Sequence, residues 1–214
     1  MFVEEAAWIA ARLAALDLPP GTRVLDIGSS TLEYRTVRQP HITELVHKPL
    51  LARGCTIDCA DLKEGEGVDL VVDLSRPGLP ASVFARPYDL VICSNILEHV
   101  VDRGTFIGNV LRFCAAGGAL LCTVPRTFPH HADPIDTMYR PTADELARFI
   151  LERAAGRVEA AGILRIDDWS YYDYRPGRIL DYLLARSLRM RLRWHLVPLR
   201  WKVSCVLLRI AGPG

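Results

Sequence analysis

Short apolar runs, each closed by an acid, a glycine or a proline, alternate along the chain with stretches whose apolar residues recur at helical spacing. Val24–Ile27 runs into Gly28 and three hydroxyl residues, Ser29, Ser30 and Thr31. Cys55–Asp61 and Val68–Leu74 read as a second and a third strand, with Asp61 and Asp73 at their ends. Tyr88–Ser94 is nearly all apolar, as a parallel strand covered on both faces should be. Ala119–Val124, closed by Pro125, is a fifth strand; a sixth is expected near Ile163–Trp169 and a last at Val203–Ile210. Residues 2–16 form a helix with Phe2, Trp8, Ile9, Leu13 and Leu16 near one face. Gly104–Ala115 is an amphipathic helix that Gly117 and Gly118 end. Thr142 opens another, running to about Ala155, with Glu145 three residues on as a capping box. Residues 32–49 contain Pro40 and Pro49 and no clean helical period, so an irregular connection is expected there. The alternation predicts a doubly wound α/β fold, a mainly parallel sheet with helices on both faces.

A chain of 214 residues, half of them apolar, suits one domain spanning residues 1–214. Its apolar runs stay well below the roughly 20 residues needed to cross a bilayer. The first residues carry Glu4 and Glu5 and no basic cluster, unlike a secretory signal. Six scattered cysteines suit buried, reduced thiols and a cytoplasmic location. The formal charge of +1 hides an asymmetry, because residues 171–214 hold nine Lys/Arg against two Asp. This basic C-terminal extension contains the last strand. Within 178–202, Arg186, Arg189, Arg191 and Arg193 interleave with Leu188, Met190, Leu192 and Trp194. That pattern suits peripheral membrane contact or an anionic, lipid-linked acceptor. The plainer reading, a helix packed on the sheet with snorkelling arginines, is favoured. No basic patch with base-stacking aromatics falls near the predicted site, which argues against nucleic acid.

Asp26, Asp61 and Asp73 fall in register at or near the ends of the first three strands. In a doubly wound sheet such ends line one crevice. A carboxylate ending the second strand can accept ribose hydroxyls, and one ending the third can accept an adenine amino group. The backbone at Gly28–Ser30 can face a polar tail. Read singly, such acids also serve as helix caps.

At this point the sequence resembles class I S-adenosylmethionine-dependent methyltransferases of the broad type 11 kind. The resemblance rests on V-L-D-I-G-S-S (24–30), the acid at Asp61, V-V-D-L (71–74), Y-D-L-V-I-C-S-N-I-L-E-H-V (88–100) and L-R-F-C-A-A-G-G-A-L-L-C-T-V-P (111–125), covering roughly residues 20–125. It implies a seven-stranded sheet with the final strand antiparallel, and S-adenosyl-L-methionine as cofactor. Carried over by position, Asp26, Gly28, Ser29 and Ser30 would hold the methionine end, Asp61 the ribose, and Asp73 and Leu74 the adenine. Ser94 or Asn95 would line the floor. Gly28 is followed by no further glycine, and the interval to Asp61 exceeds the roughly 20 residues of nucleotide-binding βαβ units.

Transfer to a hydroxyl is helped by a general base, usually His. His99 and His131 are the candidates. His130, Asp133, Asp136 and Tyr139, in the loop after the fifth strand, are expected to contact the acceptor. H-H-x-D could hold a divalent ion, but without a third clear ligand spacing no metal is assigned. The expected function is transfer of a methyl group to a small-molecule hydroxyl, on a sugar or secondary metabolite. Two alternatives stand beside it. One is a non-catalytic methyltransferase-like binding protein. The other is an NAD-type oxidoreductase, disfavoured because G-x-G-x-x-G is absent.

Overall fold

The strand Tyr88–Ser94 lies at the middle of the molecule, and alternation along it decides which side chain goes to which layer. The computed structural model describes residues 1–131, 135–166 and 201–212. Seven strands, Arg23–Ile27 (β1), Thr56–Asp61 (β2), Leu70–Val71 (β3), Tyr88–Ser94 (β4), Cys114–Thr127 (β5), Ala155–Ile166 (β6) and Trp201–Gly212 (β7), form one sheet. Their order is β3-β2-β1-β4-β5-β7-β6. β1 runs parallel to β2 and β4, β2 to β3 and β4 to β5. β7 inserts antiparallel between β5 and β6.

Successive strand residues point to opposite faces, so each central strand feeds two cores. Leu25, Val91 and Leu120 pack on one face against Phe106, Ile107 and Val110 of the helix Arg103–Phe113 (here α2) and Leu146 and Ile150 of Ala143–Leu151 (α3). Val24, Leu90, Ile92 and Leu121 pack on the other face under Ile9 and Leu13 of Val3–Ala15 (α1), together with Val46 and Leu50. α3 starts with the expected capping box between Thr142 and Glu145.

Several local expectations are corrected. The stretch after Leu32 is helical: turns Tyr34–Arg38, Pro40–Ile42, Thr43–His47 and Lys48–Ala52 follow one another, the first and third wound as π-helix. Wide π turns break the 3.6-residue spacing, which hides the helix from a periodicity reading. Pro40 and Pro49 sit in first turns, where a missing N–H costs nothing. The third strand shrinks to Leu70–Val71, because the chain turns at once: Asp73 Oδ1 accepts from Ser75 N at 3.0 Å. α2 ends at Phe113, and Gly117 and Gly118 lie inside β5; at Gly118 a Cβ would come within 2.9 Å of the Ala115 carbonyl. β6 begins at Ala155, well before the expected Ile163, because an exposed edge strand carries little apolar alternation. Of the basic segment, residues 178–200 lie outside the described residues, while the last strand is a full member of the sheet. No described helix is long and apolar enough to cross a membrane.

α1 is fixed to the sheet by Glu5, a fully buried carboxylate. Asn95 Nδ2 donates to both of its oxygens at 2.9 Å, Thr123 Oγ1 donates to Oε1, and the amide of Phe2 donates to Oε2 at 3.0 Å. A buried charge is retained only when its lone pairs are satisfied in this way. Glu5→Ala leaves the Asn95 and Thr123 donors without their acceptor. It is expected to lower stability by about 2–4 kcal/mol in urea unfolding; a loss below about 1 kcal/mol would show that the network contributes little.

Candidate functional site

At the carboxyl ends of β1, β2 and β4 the sheet opens into a cavity of about 1070 Å³. All nine residues expected to hold a cofactor, Asp26, Gly28, Ser29, Ser30, Asp61, Asp73, Leu74, Ser94 and Asn95, line it. So do His99 and His131.

The turn after β1 keeps its shape with a single glycine. Gly28 has φ +72°, and a Cβ on it would stand 2.0 Å from Ile96 Cδ1. Its amide and that of Ser29 donate to the Ala60 carbonyl, at 2.8 and 3.2 Å. Ser30 adopts φ +57°, a left-handed conformation unusual for a side-chain-bearing residue. Two contacts hold it there. Its amide donates to Asp61 Oδ2 at 2.8 Å, and the buried Arg35 guanidinium donates to its carbonyl. Arg35 also donates to the carbonyls of Ser29 (3.2 Å) and Gly67 (2.8 Å), so one cation gathers both loops. Asp61 Oδ1 accepts from Lys63 N at 3.0 Å, which orients the carboxylate at the rim.

Asp26 is pinned from behind: His47 Nε2 lies 2.9 Å from its Oδ2, and both side chains are nearly buried. Burial, with the Asp26 charge behind it, pushes the neighbouring Cys59 thiol up to about 12. On the far wall, Asn109 of α2 donates to the carbonyls of Leu74 (2.9 Å) and Arg76 (3.0 Å), fixing the turn after Asp73. On the floor Asn95 has φ +55°, and Glu5 takes both of its amide hydrogens into account through Nδ2. Asn95 Oδ1 and Ser94 Oγ are left buried without a hydrogen-bond partner in the protein.

The turn Leu97–His99 forms the other end. Glu98 is fully buried, and neither carboxylate oxygen has a hydrogen-bond partner. Burial raises its pKa to about 8. His99 Nδ1 is bonded to the Ile135 carbonyl, and its Nε2 stands 3.7 Å from Glu98 Oε1. The His131 ring meets that of His99 edge-on at 5.1 Å and that of Phe128 at 4.9 Å. Burial lowers the His131 pKa.

Of the four acceptor contacts expected in the loop, the three that are described, His130, Asp136 and Tyr139, do not line the cavity. Asp136 does not line it but organises the loop: Oδ2 lies 3.1 Å from His131 Nδ1 and accepts from Arg140 Nη2 at 2.6 Å, while Oδ1 accepts from Met138 N at 2.8 Å. Burial works against its charge, yet these bonds hold the carboxyl well below the usual range. Tyr139 packs against Phe149 and beneath the Arg103 guanidinium, away from the cavity. His130 is exposed and does not line it, and Asp133 lies outside the described residues. Among the described residues, two groups have spacing that a metal ion could use: Asp26, His47 and Cys59, and Glu98, His99 and His131, each within 4.8 Å. Sequence reading missed Glu5, Arg35, His47 and Glu98. Only Glu98 left a usable trace, a lone carboxylate between Leu97 and Val100.

The fold recurs in solved structures. A phosphoethanolamine N-methyltransferase from Haemonchus contortus, in complex with S-adenosyl-L-methionine, superposes with a TM-score of 0.57 at 13% identity. The alignment covers 99% of this chain and 53% of that one, so the chain spans about half its length. A coclaurine N-methyltransferase gives 0.61 at 14% identity, covering 96% and 72%. The fold is that of the class I methyltransferases. The 4+2 cyclase SpnF matches it too, at 0.58 and 14% identity, covering 99% and 81%. No family model matches the sequence, and neither does any curated protein.

Within this methyltransferase fold, Gly28 is tested by coupling. Gly28→Ala meets the left-handed penalty of about 1–2 kcal/mol together with overlap on Ile96. In an Ile96→Ala background the loss should shrink by about 0.5–1.5 kcal/mol, read by thermal or urea unfolding. Additive losses would show that Ile96 is not what Gly28 makes room for.

Proposed function

We propose that the chain is an S-adenosylmethionine-dependent methyltransferase acting on a small-molecule acceptor. One observation carries the reading: the Gly28–Ser30 turn, Asp61, Asp73 and the Ser94–Asn95 floor, spread over four strand ends, face a single cavity. The residues fit the cofactor. Gly28 brings a backbone without a side chain to the cavity wall, and Asn95 Oδ1 and Ser94 Oγ are buried polar atoms that a ligand donor would satisfy. Asp61 retains acceptor lone pairs for ribose hydroxyls beyond those its two amide bonds use. Asp73 and Leu74 border the adenine end, and Asp26, held by His47, fixes the β1 turn beneath the methionine end.

When bound, the cofactor supplies an electrophilic methyl sulfonium. The chain's part is to align a nucleophile with it and take up a proton. His99 and His131 line the cavity beyond Asn95 and suit that role. With Nδ1 donating to Ile135, His99 presents the Nε2 lone pair. The sequence pointed to a hydroxyl acceptor on a sugar or secondary metabolite, in the cytoplasm; contact of 178–202 with a membrane or lipid-linked acceptor belongs to the same proposal.

A second reading is a binding protein without transferase activity. It is favoured by the one-glycine turn, whose serines replace the glycines of the family pattern. Titration calorimetry with S-adenosylmethionine and S-adenosylhomocysteine separates the outcomes. Both should bind, and Asp61→Ala should weaken each about tenfold or more, some 1.4 kcal/mol. No binding of either would refute the proposal; binding without methyl transfer to any acceptor would favour the second reading.

A further inference from the structure

The turn after β1 has spent most of its backbone donors on the protein itself. The amides of Gly28 and Ser29 go to the Ala60 carbonyl, that of Ser30 to Asp61 Oδ2, and that of Leu32 to the Glu66 carbonyl at 2.8 Å. Of these five successive residues, Thr31 alone has an amide with no acceptor among the described residues. One N–H is too few for an anionic tail such as a carboxylate, which has two oxygens and about four lone-pair sites. The three hydroxyls that follow Gly28 differ in what they have left to give. Ser29 is buried, and its hydroxyl is turned inward, to the Ser30 carbonyl at 3.2 Å and to the Cys59 thiol. Ser30 and Thr31 are half-buried and line the cavity. The Ser30 hydroxyl is uncommitted among the described residues. Thr31 is held from two sides: its Oγ1 accepts from Tyr34 N at 3.3 Å, and its Cγ2 lies against Gly65, where a Cβ would stand 2.7 Å away. Oγ1 thereby keeps its own hydrogen to donate.

The charge at this place is set from behind. Arg35 is buried, its bonds go to three carbonyls, those of Ser29, Ser30 and Gly67, and no described carboxylate forms an ion pair with it. The acids that border the turn are committed elsewhere, Asp26 to His47 and Asp61 to two amides. A buried cation without a bonded anion favours negative charge beside it. Of the other cations at the cavity, Arg38 is paired with Glu33 at 3.2 Å, and Lys63 follows Asp61 on the β2 side. We infer that a ligand carboxylate is held here by the side-chain hydroxyls of Ser30 and Thr31 together with the Thr31 amide, and that Arg35 is the positioning residue behind them. This rests on the methyltransferase reading and deepens it, since the carboxylate is then that of the cofactor's methionine end. Ser29, expected from the sequence to share that task, serves the interior of the turn instead.

A consequence separates this from a purely architectural role. At φ +57° glycine is the less strained residue, so Ser30→Gly should cost the fold nothing and bring the turn closer to a glycine-rich one. If the serine only fills a glycine's place, the substitution leaves ligand binding unchanged or improves it. If its hydroxyl is a donor to the carboxylate, the same substitution weakens every ligand that carries the carboxylate and spares those that lack it. Hydrogen bonds to a charged group are the strong ones, so the loss is measurable for a single hydroxyl.

The test is titration calorimetry of the full chain with three probes: S-adenosylhomocysteine, its decarboxylated analogue, which keeps the amine, and 5′-methylthioadenosine, which has no amino-acid tail. The wild-type chain should prefer S-adenosylhomocysteine over the decarboxylated analogue by at least about tenfold. Ser30→Gly and Thr31→Val should each cut that preference by about threefold or more while leaving 5′-methylthioadenosine within about twofold. Ser30→Gly should not lower the melting temperature, and Thr31→Ser, which keeps the hydroxyl, should retain the preference. Arg35→Met should weaken S-adenosylhomocysteine more than the other two probes; if it does not fold, the two hydroxyl variants decide the matter. Equal affinity of the wild-type chain for S-adenosylhomocysteine and its decarboxylated analogue would overturn the inference. So would a preference that survives both hydroxyl variants, variants that weaken all three probes alike, or a preference that Lys63→Ala abolishes and the hydroxyl variants do not. Binding of 5′-methylthioadenosine without binding of S-adenosylhomocysteine would overturn it and leave an adenosyl pocket standing, whereas no binding of any of the three would overturn the methyltransferase reading with it.

Discussion

A single buried carboxylate, Glu5, determines how the rest of the cavity is arranged. It lies on the first helix, yet its bonds reach the ends of β4 and β5 through Asn95 and Thr123. By taking the Asn95 Nδ2 hydrogens it fixes the side-chain amide, whose Oδ1 stays buried without a partner, and it anchors the residue from which the Leu97–His99 turn springs. The cost of burying Glu5 is offset only while all its donors are in place. The N-terminal helix thus braces the floor of the site through Glu5, and Met1 and Phe2, just before it, line the cavity.

The β1 turn solves a different problem. A run of glycines would reach left-handed conformations at no side-chain cost. Here Ser30 adopts one at φ +57°, held by its amide on Asp61 and its carbonyl on Arg35. Arg35 also ties the turn to Gly67, so the turn after β1 and the loop after β2 share one cation. An ion and an acid do the work that backbone freedom does elsewhere.

Much of this was legible in the chain. The central strands could be read because burial on both faces leaves an unbroken apolar run, and the acids at Asp61 and Asp73 marked the rim. The helical connection was not legible, because two π turns scramble its period, and with it went Arg35 and His47. The edge strand β6 was misplaced because one open side demands no apolar pattern. In the loop after β5, residue type alone did not tell which side chains reach the cavity. Asp136 and Tyr139 brace the loop, while Glu98, inside an apolar segment, faces the cavity. Whether a carboxylate is a brace or a contact depends on which donors lie beside it, and only folding decides that.

The central claim is that four strand ends form one pocket for an adenosyl ligand. Hydrogen–deuterium exchange of the full chain with and without S-adenosylhomocysteine tests it most directly. The account predicts added protection together at residues 28–31, 61–63, 73–75 and 94–99. Protection confined to one of these segments, or absent from all of them at saturating ligand, would contradict it.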